Sequence, residues 1–162
     1  MDHYNLEEFY SIIQPVLDLN EFKRMKNMRH HRITRYDHCI RVAHYSYLIT
    51  KFLQLNYSEA TFGAVLHDFY TTEVMDRKSF MRLQLHPNIA LRNASKYFTL
   101  SDREKDIIKN HMFPVTLVPP RYLESWIVDL VDDFVAIYEV SYAFRKEIGA
   151  TAAIVFHFLH LK

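Results

Sequence analysis

Only two glycines, Gly63 and Gly149, occur in 162 residues, against a usual frequency of about 7%. A sheet built from many tight hairpins needs residues that tolerate positive φ at its turns, and this chain has almost none to offer. Its apolar residues instead recur at helical spacing through most of the sequence, so the expected fold is all-α. The same scarcity removes two common ways of binding phosphate. A Walker loop and a dinucleotide-binding turn both need closely spaced glycines so that backbone N–H groups can surround the phosphates. Phosphate chemistry on this chain would have to use metal ions or arginines.

The length suits a single domain over residues 1–162 with one core. Hydrophobic residues at 49% and charged residues at 24% argue against a disordered chain. A formal net charge of +1 leaves no broad electrostatic footprint for nucleic acid or an anionic membrane. The eleven tyrosines and twelve phenylalanines are not interleaved with basic residues outside Lys23 to Arg35, so an extended base-stacking surface is not expected. No apolar run is long enough to cross a bilayer and Met1 to Asn5 show no signal pattern, which makes a cytoplasmic protein the expectation. The single Cys39 has no partner for an internal disulfide. Between His38 and Ile40 in a helical stretch, it reads as structural rather than nucleophilic.

Helix signals divide the chain. Asn5 to Leu19 reads as a helix interrupted near Pro15, with Leu6, Phe9, Ile12 and Ile13 on its apolar face. The basic stretch from Lys23 to Arg35 lacks an apolar period and reads as a loop in which His30 and His31 are solvated. A second helix is expected over Tyr36 to Leu53, and a third starts at an N-cap Ser58 and runs to Asp68. Pro87 suits the first turn of a helix over Asn88 to Tyr97. Ser101 with Glu104 three residues on is a capping box for a helix ending near His111. Pro114, Pro119 and Pro120 precede a helix from Leu123 to about Arg145, and a last one covers Gly149 to Leu161. Phe69 to Leu85 joins two segments that hold candidate ligands and is the candidate lid.

The chemistry is concentrated in polar residues set inside these apolar patterns. His67-Asp68 ends the run Gly63-Ala64-Val65-Leu66 and precedes Phe69-Tyr70. Burying an imidazole beside a carboxylate is costly unless both are compensated, and a divalent cation compensates both by direct ligation. Taken alone, the pair reads equally well as the polar end of a helix. His38, His86, His111 and Asp132 each also sit inside or beside an apolar helical pattern, Asp132 within the stripe of Val128, Val131 and Val135. Four further coincidences favour a metal site.

These stretches resemble the HD superfamily of metal-dependent phosphohydrolases, whose pattern is a histidine, a His-Asp pair and a distant aspartate, all on helices. Arg35-Tyr36-Asp37-His38-Cys39-Ile40-Arg41-Val42-Ala43 is similar to the helix of the first ligand, Ala64-Val65-Leu66-His67-Asp68 to the defining pair, and Ile127 to Phe134 to the helix of the last ligand. The likeness spans about residues 35–139, which implies a compact HD-like helical domain with the terminal helices packed on it. It also implies Asp132 as ligand, with Asp129 and Asp133 pointing elsewhere. His86-Pro87 and His111 resemble the two extra histidines of dinuclear branches. That resemblance implies two ions, with His38, His67 and Asp132 on one, His86 and His111 on the other, and Asp68 bridging and orienting the attacking hydroxide. Nitrogen and carboxylate donors suit iron or manganese, with zinc, nickel or cobalt as alternatives.

The activity implied is hydrolysis of a phosphoester or phosphoanhydride in a small nucleotide-like substrate by a metal-bound hydroxide. One departure is plain. Where many members place a glycine and a lysine soon after the His-Asp pair, this chain has Phe69, Tyr70, Thr71 and Thr72, so Arg35, Arg41 and Lys78 are the candidate substitutes for phosphate contact. Two other readings stand beside this one: a diiron oxygenase on the same ligands, and a non-catalytic module that senses a nucleotide or binds a protein. The apolar stripe Ala152, Ile154, Val155, Phe156, Phe158 and Leu159 either closes the domain's own core or forms a homodimer surface.

Overall fold

A computed structural model describes residues 5–30, 33–70 and 79–159, with side-chain surroundings for 5–28, 34–70, 81 and 83–142. It is all-α apart from one minimal hairpin. Helix α1 (Leu6–Leu17) is capped by Asn5, whose side chain accepts the Glu8 N–H, and buries Phe9, Ile13 and Val16 at helical spacing. Pro15 lies inside α1 rather than ending it. Its ring is exposed, and a proline this near the C-terminus removes only one bond of the ladder.

The basic stretch expected to be a loop holds short regular elements. Helix α2 (Asn20–Lys23) and a 3₁₀ turn (Arg24–Asn27) lead into strands β1 (Arg29–His30) and β2 (Ile33–Thr34), which pair antiparallel with Arg29 opposite Thr34. Phe22 and Met25 anchor this segment in the core. Helix α3 (Arg35–Phe52) follows, capped by the Thr34 hydroxyl accepting the Asp37 N–H. Helix α4 (Tyr57–Leu66) is capped by Asn56 and not by Ser58; the Asn56 side chain accepts from the Glu59 N–H and also reaches the Glu59 carboxylate. Both residue types cap well, and the start is settled by the Asn56 N–H bonding Glu124 across the fold.

Helix α5 (Ser79–Ala94) begins well before Pro87, which is therefore interior. The proline forfeits one ladder bond, but packing of buried His86, Ala90 and Ala94 offsets it. Helix α6 (Asp102–Asn110) starts with the expected reciprocal Ser101–Glu104 box. Helix α7 runs unbroken over Leu123–Leu159, so the two separate helices expected there are one. A single helical glycine costs only about 1 kcal/mol, and no proline follows Gly149 to stop the helix.

Helices α3 and α4 form the central pair, with α7 against α3, α6 against α4, and α5 against α6. Their core includes Val42, Tyr47, Ala64, Leu66, Ile107, Ile108 and Val128. At Gly63 a Cβ would come within 3.0 Å of the Ile107 side chain, so glycine permits the close approach of α4 to α6. These are the helices that end in His67 and His111. No helix among the described residues is long and apolar enough to cross a membrane.

Candidate metal centre

Five helices contribute to one buried cluster. His38 sits on the first turn of α3, His67 caps the C-terminus of α4 with Asp68 next, His86 lies on α5, His111 caps α6, and Asp132 lies on α7. All six are buried, between 0% and 9% exposed. Three sets of their donor atoms lie within 4.8 Å of one another: His38, His67 and Asp68; His67, His111 and Asp132; and Asp68, His86 and His111. The six residues singled out in the sequence are thus together in space.

The histidines are oriented from behind. His67 Nδ1 is 2.7 Å from the Ala64 carbonyl and His111 Nδ1 is 2.9 Å from that of Ile108. Each donates its N–H there, which turns an Nε2 lone pair inward. His38 is held at both ring nitrogens, Nε2 at 2.8 Å from Asp132 and Nδ1 at 3.1 Å from the buried Glu139. Glu139 in turn accepts from Arg41 at 2.7 Å.

Burial disfavours charge on every one of these groups, and the charges present follow from their neighbours. Against burial, the carboxylates of Asp132 and Glu139 raise His38 to about 10. Burial and the neighbouring His67 and His86 push His111 down to about 3. Burial raises the Asp68 carboxyl, but His86, Arg35, His67 and His111 outweigh it and hold the group well below the usual range. Asp132 is held low in the same way by His67 and His38.

Three observations fit this donor set to a divalent cation. His67 Nε2 and Asp68 Oδ1 are buried with no hydrogen-bond partner among the described residues, a costly state for two such groups. His86 Nε2 and His111 Nε2 face each other at 2.9 Å, so a proton or a cation must separate their lone pairs. Two nitrogens about 2.1 Å from one ion and at right angles to each other would be about 3 Å apart. Asp68 Oδ1 stands 3.3 Å from His86 Nε2 and 3.9 Å from His111 Nε2. The donors are imidazole and carboxylate only. Cys39 is fully buried, and burial pushes its thiol well above the ordinary range.

Arg35 belongs to the cluster. Its guanidinium lies 3.8 Å over the Tyr70 ring, and its Nε is 3.4 Å from Asp68 Oδ2. Its Nε and Nη1 have no hydrogen-bond partner among the described residues. Arg41 is placed differently, behind His38 on Glu139. Asp129 accepts the Phe113 N–H at 3.2 Å and Asp133 is exposed, so both point away from the cluster. Glu139 is the residue that sequence reasoning missed. It falls seven positions after Asp132, on the same face of α7, and that spacing was the available signal. Lys78, His31, most of the candidate lid and the side chains of His30 and of 143–159 lie outside what the structure describes.

An all-helical domain with this convergence of imidazoles and carboxylates has donor sets that could hold a divalent metal. The family model of the HD domain matches residues 35–137, and the chain belongs to that family, most of whose members are metal-dependent hydrolases. Comparison with curated proteins and with solved structures returned no match.

Proposed function

We propose that the chain is a metal-dependent phosphohydrolase that cleaves a phosphoester or phosphoanhydride of a small nucleotide-like substrate. The supporting observation is the buried cluster of four imidazoles and two carboxylates, in which His67 Nε2 and Asp68 Oδ1 make no hydrogen bond among the described residues and have only longer ion-pair contacts, to Asp132 at 3.5 Å and His86 at 3.3 Å. In this reading two divalent ions are held, iron or manganese being favoured over zinc, nickel or cobalt by the nitrogen and oxygen donors. His38, His67 and Asp132 would hold one and His86 and His111 the other, with Asp68 available to either. Bound there, such ions supply Lewis acidity, making water acidic near neutral pH and neutralising phosphoryl oxygens.

The chain's own groups do the rest. Asp68 orients the water for attack on phosphorus; the water gives up a proton as its oxygen bonds to phosphorus, the bond from phosphorus to the leaving oxygen breaks, and the leaving oxygen takes up a proton. Arg35 offers N–H donors to a phosphoryl oxygen, and the Tyr70 ring beneath it keeps its plane fixed. Arg41 gives Nη1 to Glu139 and so helps to position His38.

The test is elemental analysis of protein purified without chelator, together with phosphate release from a nucleotide panel. Close to two ions per chain are expected, falling sharply in His67→Ala and His111→Ala, with phosphate release reduced at least about 100-fold in both. Wild-type protein that takes up no metal after incubation with iron, manganese or zinc would overturn the proposal.

A further inference from the structure

Helix α7 has two faces of different use. Val128, Asp132, Val135 and Glu139 are buried toward the core and the metal centre. At about 100° per residue, Leu130, Phe134 and Ile137 fall on the opposite side, where they are 52%, 71% and 66% exposed. Leu123, Leu130, Phe134 and Ile137 fall on alternating four- and three-residue steps, whose remaining position, Ile127, is buried in the domain's own core. The sequence keeps that step to Phe158 through Phe144, Ile148 and Val155, with Ser141 and Thr151 as the polar exceptions. This is the heptad seam of a helix that pairs lengthwise with another. Among the described residues, the helices that pack against α7 are α3, α4 and α6, and exposed Phe134 and Ile137 are left uncovered by them.

We infer that this seam is a homodimer interface in which α7 of one protomer lies along α7 of a second copy. Length is the first reason. The 37 residues of α7 span about 55 Å at about 1.5 Å per residue. A domain of this size is about 40 Å across, so its own body is too small to cover the helix from end to end. Area is the second. Leu123, Leu130, Phe134, Ile137 and Tyr138 expose on the order of 100 Å² each, roughly 500 Å² together and more than half of the about 800 Å² per partner of a standard interface. Self-complementarity is the third: a second α7 presents the same exposed Leu123, Leu130, Phe134 and Ile137, and a two-fold axis makes one patch serve both protomers.

The test is solution mass by light scattering over micromolar concentrations of the full chain. The dimer is expected in wild type. Phe134→Glu with Ile137→Lys should raise its dissociation constant at least about 100-fold while leaving metal content and far-UV circular dichroism unchanged. A monomeric wild type, or a double variant that dimerises as well as wild type, overturns the inference. Should the double variant lose its helical signal, Ile137→Cys with a short bismaleimide decides. Cross-linked pairs that an Asp18→Cys control does not give support the interface; their absence, or equal yields from both, overturns it. The mass measurement stands whether or not the chain hydrolyses phosphate, so the two proposals fail separately.

Discussion

His38 shows how much of this centre depends on residues that would touch neither metal nor substrate. A ring free to rotate about χ2 presents its lone pair to a cation only part of the time, and fixing it is what an acceptor at the far nitrogen does. Glu139 provides that acceptor, and Arg41 fixes Glu139. Glu139→Gln should keep the fold yet weaken metal binding by about 10- to 100-fold, read by titration with manganese or zinc against wild type; an unchanged affinity would show that Glu139 does not position the ring. The six cluster residues were legible in sequence because each interrupts an apolar helical run, where an ionisable side chain is too costly to leave uncompensated. Glu139 was not, because Ser141 and Tyr142 beside it blur the run, and its partner lies 101 residues away. The committed state of Arg41 was illegible for the same reason.

Among the elements, α1 is fastened to the centre of the fold by one carboxylate. Glu8 accepts from Lys51 and Tyr47 of α3 and from Tyr57 of α4. The Lys51 hydrogen bond, followed by those of the two tyrosines, lowers Glu8 to about 2 from its ordinary 4.5. The sign follows from linkage. A carboxyl whose folded value lies below its unfolded one contributes stability that is complete above the unfolded value and is lost as pH falls through the folded one. Denaturant unfolding of Glu8→Gln should therefore lie below wild type at neutral pH, by about 1 kcal/mol or less for so solvent-accessible an ion pair. The gap should close as pH is lowered from about 4.5 to 2. A gap that does not depend on pH would mean that packing, not ionisation, is what the substitution removes. Helix existence was readable from periodicity, but boundaries failed wherever a breaker was taken at face value. Pro15, Pro87 and Gly149 all sit inside helices, since one lost ladder bond or about 1 kcal/mol of backbone entropy does not by itself stop a helix.

For the whole molecule, folding gathers two acids and four imidazoles at one point between five helices, and the cost of desolvating them must be met in the folded state alone. Protonation meets part of it, as the raised His38 shows; His111, pushed down to about 3, remains neutral at physiological pH with its lone pair directed at His86. A cation that binds this arrangement has no comparable site in the unfolded chain, so its binding free energy adds to folding stability. At a free metal concentration about 100 times its dissociation constant the gain is about 2.7 kcal/mol, which for a chain of this size corresponds to about 5 to 11 °C in Tm. Thermal unfolding of chelator-treated protein with and without added manganese or zinc should show that rise, reversed by chelator and abolished in His67→Ala. His67→Ala without metal should unfold below the metal-free wild type, because it removes a fully buried imidazole together with its Nδ1 bond to the Ala64 carbonyl. If His67→Ala still gains the same stability from metal as the wild type, the cluster is a structural polar core and the ions bind elsewhere.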